Sequence, residues 1–129
     1  MSGEPDVSEP IFERIRMRCF ALPEVTLRSD TWAHAFEIRR KPFAWLFATD
    51  DGTGQSVVSL VVDADPDERR ALLAAGNPYF PSASNERRLG IVLHDDTRWD
   101  EITELITDSY RLLAPKKLVA LLEESDGHP

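Results

Sequence analysis

Cysteine is almost missing from this chain: Cys19 stands alone, so no disulfide can form within it. It falls among apolar residues at helical spacing, the place of a small buried hydrophobe rather than a reactive thiol. No His or Cys pair has the spacing of a metal site. Long apolar runs are lacking too, and nothing approaches the roughly 20 residues that a membrane helix needs. The opening MSGEPDVSEP is acidic and proline-bearing, without the apolar centre of a signal peptide. A cytoplasmic protein without a membrane partner is the expectation. Positive charge is in deficit, with 15 Lys and Arg against 23 Asp and Glu and a net charge of −8. That balance disfavours indiscriminate binding to polyanions but leaves room for a local basic patch.

Catalytic signatures are equally scarce. Gly52-Thr53-Gly54 joins two expected strands and lacks a following Lys-Ser or Lys-Thr, so it is no phosphate loop. The serines have no nucleophile-elbow context. Asp63, Asp65 and Asp67 begin like a calcium loop, but that loop needs Gly where Glu68 stands and Glu where Ala74 stands. Helix capping accounts for them better: Asp65 as N-cap, Pro66 at the first helical position, Gly76 at the end. No cofactor, no metal and no enzymatic activity are expected.

What is present fits one domain of 129 residues with an ordinary 42% hydrophobic content. The organising stretch is 36–63, which reads as three consecutive strands. Phe36 and Ile38 share one face of the first. Phe43, Trp45 and Phe47 alternate with Ala44, Leu46 and Ala48 along the second, and valines fill the third. Arg40-Lys41 and residues 50–54 are the expected turns. Before this meander, Ile11, Phe12, Ile15, Cys19 and Phe20 recur at helical spacing, and residues 25–35 read as a connector. After it come a helix from Pro66, a short strand near Tyr79, and a strand from Leu89 to His94. A helix whose apolar positions are Trp99, Ile102, Leu105, Ile106, Leu112 and Leu113 follows at close to a 3.6 period, then one from Lys116. The expected class is α+β, a two-layer sandwich with an antiparallel sheet, because consecutive strands on short turns pair antiparallel. Residues 1–8 read as a disordered lead, 9–124 as the domain and 125–129 as a tail.

Several segments together resemble one family. ALPEVT at 21–26, HAF at 34–36 with KPFAWL at 41–46, and SYRLLAPKKL at 109–118 follow the order and spacing of the MmcQ/YjbR family, over about residues 11–122. The resemblance implies α-β(3)-α-β(2)-α topology, in an architecture similar to type III secretion chaperones and frataxin-like proteins. It further implies a small bacterial protein that binds DNA through a double-wing motif. Where many members carry an HMNK-type segment with an aromatic residue, this chain reads SASNERRLG at 82–90.

Basic residues sit where phosphates are readily met, in turns and at helix starts. Arg39, Arg40 and Lys41 occupy the first hairpin, Arg87 and Arg88 end the long loop, and Lys116 and Lys117 open the last helix. These seven are the candidate nucleic-acid contacts, with modest, steeply salt-dependent affinity expected. The alternative is a protein- or peptide-binding adaptor that uses a groove near Trp32, His34, Trp45 and Tyr79.

Overall fold

The strand that begins at Lys41 carries an extra residue, and that residue sets how the sheet meets its helices. The computed structural model of the chain describes residues 7–50, 53, 56–82, 86–94 and 96–126. Its elements are α1 (Glu9–Phe20), β1 (Val25–Ser29), β2 (His34–Ile38), β3 (Lys41–Asp50) and β4 (Ser56–Asp63). Then follow α2 (Pro66–Ala75), β5 (Tyr79–Pro81), β6 (Arg88–Leu93), α3 (Trp99–Leu113) and α4 (Lys116–Asp126). The six strands form one sheet in the order β1-β2-β3-β4-β6-β5, antiparallel throughout. The expected two-layer α+β class is what the fold shows.

The meander nonetheless has four strands. Residues 25–29, read as connector, pair with β2 from Val25 opposite Ile38 to Ser29 opposite His34. Val25 and Leu27 face inward while Thr26 and Arg28 face out, which suits an edge strand with one dry side. The first hairpin also turns one residue earlier than expected. Arg39 and Arg40 are its central residues, at φ 51° and 68°, and Lys41 already belongs to β3. Residues 51, 52, 54 and 55 of the second turn, like the ends 1–6 and 127–129, lie outside the described residues.

In β3, Pro42 opposes Glu37 and Ala44 opposes Phe36, so Phe43 has no partner. This β-bulge turns Phe43 onto the same side as Ala44 and Leu46, all fully buried. The expected aromatic face of Phe43, Trp45 and Phe47 is therefore split. Phe43 packs edge-on against Tyr110 of α3, with ring centres 5.5 Å apart, while Trp45 and Phe47 stay on the opposite face. Ser109 of α3 fixes the bulge. Its hydroxyl donates to the Phe43 carbonyl at 2.6 Å and accepts from the Asp63 amide at 2.9 Å. One residue on, Tyr110 donates to the Pro23 carbonyl at 2.7 Å.

The helices occupy one side only. α3 lies across β3 and β4, and α1 packs on α3 and β1. The core gathers the helix-facing residues of every long strand with Ile15, Cys19, Ile106, Leu118 and Leu122. Ala35 and Val61 are buried but stand outside that core, because their side chains point to the other face. α2 is capped as its sequence implies: the Asp65 carboxylate accepts from the Asp67 and Glu68 amides, and Gly76 closes it at φ 83°. No helix among the described residues is long and apolar enough to cross a membrane.

Candidate functional site

Antiparallel pairing brings distant basic residues to one end of the sheet. Ile38 and Lys41 flank the first hairpin; Val25 opposes Ile38, Val62 opposes Ala44, and Leu89 opposes Val62. The starts of β1, β3 and β6 and the ends of β2 and β4 therefore share one edge. Arg39, Arg40, Lys41, Arg87 and Arg88 all lie there, within about 14 Å across three strand spacings. The C-terminal end of α3 is tied to the same edge through Ser109 and Tyr110, so α4 opens beside it. The ammonium of Lys117 lies close enough to act on the Glu24 carboxylate of the β1 start.

The seven are not equally available. Arg39 is held by Glu24 in a two-pronged pair, Nε to Oε1 at 2.9 Å and an Nη to Oε2 at 3.3 Å. That hydrogen bond, then the charge attraction, lowers the Glu24 carboxyl and raises the Arg39 guanidinium. Arg88 faces Asp63 at 3.5 Å and lies 4.1 Å over the Trp45 ring. Asp63 Oδ1 and Arg88 Nε are buried, and at 3.5 Å their contact is a long one. Burial accordingly raises the Asp63 carboxyl in spite of its cation. Arg69 of α2 donates to the Arg88 carbonyl at 2.8 Å and fixes the start of β6. Arg40, Lys41, Lys116 and Lys117 are exposed and form no ion pair among the described residues. Arg87 is exposed beside them, and its carbonyl accepts from Ala64 at 2.7 Å. The acidic run after β4 is engaged locally, Asp65 as a cap and Asp67 with Arg70 at 3.3 Å.

The expected groove residues divide between the two faces. Trp32 and Trp45 meet in a groove of about 590 Å³ on the open face, with Phe47, Val61, Ser82 and Arg88. His34 does not reach it. His34 opposes Leu46, faces the helices, shares a hydrogen bond with Ser29 at 2.7 Å and lies tilted against Phe12, with ring centres 4.4 Å apart. Tyr79 is also on the helix side, where its hydroxyl donates to Glu101 at 3.3 Å. Phe47 and Val61 were not among the expected groove residues; their alternation with Leu46 and Leu60 is the signal that marks them. Cys19 is fully buried, and burial pushes its thiol up, which suits packing and not reaction. Among the described residues no three His, Cys, Asp or Glu side chains gather as metal ligands.

These features define a class: an α+β sandwich whose described helices lie on one sheet face, with a basic sheet end. The family model described as YjbR matches residues 20–112, well over half the chain, and the chain belongs to that family. No curated protein sequence matches it. Ser109 and Tyr110, two of the residues that carried the resemblance, are the ones that tie α3 to the bulge and to the α1–β1 link.

Proposed function

We propose that this chain is a non-enzymatic nucleic-acid-binding protein that grips phosphates with the basic end of its sheet. The observation that carries the proposal is that Arg40, Lys41 and Arg87, exposed and from two separate segments, meet at one end of the sheet of an acidic molecule, where Lys117 also acts on Glu24. Phosphate contacts of this kind position a nucleic acid without reading its sequence. The hairpin tip adds weight. Positive φ at both central residues is what a type I′ turn needs, and Asn-Gly or Gly-Gly usually supplies it. Here two arginines hold that strained conformation, as functional residues often do.

The test is fluorescence anisotropy of labelled DNA at low salt, with Arg40→Ala/Lys41→Ala and Lys116→Ala/Lys117→Ala pairs. Each pair should weaken binding and flatten its salt dependence. Absent binding by the native chain, or binding that neither pair weakens, refutes the proposal.

A further inference from the structure

We infer that the open face of the sheet holds unpaired bases, so that single-stranded nucleic acid, not duplex, is the ligand of the basic end. The inference rests on the phosphate-gripping reading above and adds which form of nucleic acid the site takes.

The open face offers stacking surfaces. Trp32 is 82% exposed, a costly position for a large indole in a lone chain. It is held out by a local device: the Asp30 carboxylate accepts from the Trp32 amide at 2.7 Å and the Ala33 amide at 2.9 Å. Across the groove stand Trp45 and Phe47, half-buried on small neighbours, Ser59 and Val61, that keep the floor flat. The Arg88 guanidinium over Trp45 is itself a plane on which bases stack. The groove volume, about 590 Å³, lies within the usual range for organic ligands.

The groove is continuous with the basic end. Trp32 belongs to the β1–β2 link, at the far end of the sheet from the Arg39-Arg40 turn. Arg88 lines the groove and also belongs to the basic edge. A strand whose phosphates sit at Arg40, Lys41 and Arg87 would thus run diagonally across the face toward Trp32.

Charge is matched as well. Among the described residues the strand carboxylates on this face are Glu37 and Asp63, and each has an arginine, Arg28 at 3.3 Å and Arg88 at 3.5 Å. Among those residues, an acidic molecule therefore presents a face without an unpaired strand carboxylate to repel a phosphate chain. Base–aromatic stacking beside a cationic track is the general design for single strands, and a duplex cannot use it because its base faces are already stacked on each other.

The experiment compares labelled oligothymidylate with a labelled duplex of equal length on native protein, Trp32→Ala, Trp32→Phe and Arg40→Ala/Lys41→Ala. The native chain should prefer oligothymidylate. Trp32→Ala should lose roughly tenfold or more of that affinity, the effect of one stacked base, while duplex binding stays unchanged. Trp32→Phe should restore most of the loss, and Arg40→Ala/Lys41→Ala should weaken both probes. Equal affinity for the two probes, with Trp32→Ala silent, overturns the inference and leaves the phosphate reading standing. Failure of the native chain to bind either probe overturns both. A dimer in gel filtration that Trp32→Ala dissolves would assign the groove to a second copy. Trp32-dependent capture of a labelled leucine-rich peptide, without oligothymidylate binding, would assign it to a peptide; either result overturns the inference.

Discussion

Arg39 and Arg40 stand at positive φ, where a residue with a Cβ is strained and glycine is not. An Asn-Gly pair suits both positions of such a turn. The double substitution Arg39→Asn/Arg40→Gly should therefore raise the urea midpoint of unfolding, although the exposed Arg39–Glu24 pair is lost. The same variant should bind DNA less well, so stability and binding move in opposite directions at one turn. Ser109 is the opposite case, a residue whose whole role is structural. Ser109→Ala strands the Phe43 carbonyl and the Asp63 amide, both of which its buried hydroxyl satisfies. Two unsatisfied groups predict a loss of about 2–4 kcal/mol in chemical denaturation. A loss below about 1 kcal/mol would mean that water or a backbone shift replaces the hydroxyl.

At the scale of elements, the open face is shaped by what β5 and β6 do to each other. Phe80 opposes Gly90, and a Cβ added at Gly90 would collide with the Phe80 ring. Gly90→Ala should destabilise by about 1–2 kcal/mol, as overpacking does. In a Phe80→Ala background it should cost nearly nothing, and that double-mutant cycle tests whether the ring lies on Gly90 in solution. The elements differed in how much of themselves they displayed in sequence. α2 was legible because Asp65, Pro66 and Gly76 are local signals, and α3 because its apolar period is long. β1 was not, since Val25 and Leu27 give only two turns of alternation before Arg28 and Ser29. The bulge was invisible because its cause, Ser109, lies 66 residues away from Phe43. The hairpin was misplaced by one residue because Arg-Arg carries no turn chemistry. Of the site, the seven cations were readable one by one as loop, turn and helix-start residues. Their convergence was not, because it depends on β6 lying beside β4, and neither were the pairings of Arg39 with Glu24 and Arg88 with Asp63. His34 and Tyr79 left the expected groove for the same reason: strand register, not proximity in sequence, assigns a residue to a face.

The whole molecule must bind a polyanion, on the proposed reading, while carrying a net charge of −8. Long-range repulsion then opposes approach, and contact at the basic end has to overcome it. Salt separates the two effects. Each phosphate neutralised on a single strand adds about 0.7 to the negative slope of log affinity against log salt. Four exposed cations in no ion pair among the described residues, Arg40, Lys41, Lys116 and Lys117, account for about 2.8 of that slope. Arg40→Ala/Lys41→Ala should lower the slope by up to about 1.4. Glu24→Gln should do the reverse. It removes the carboxylate that holds Arg39 and draws on Lys117, so it adds a contact, tightens binding and steepens the slope by about 0.7. Both variants make the chain's charge differ by one or two units in a predictable direction, but net charge alone would alter affinity without altering the number of counterions released at contact. Anisotropy titrations of oligothymidylate over a salt series therefore decide the matter. Slopes that move in opposite directions for the two variants place the phosphates at the Arg39–Lys41 turn. Slopes that stay parallel to the native one would mean that the turn contributes only to the general field, and that the strand is held elsewhere.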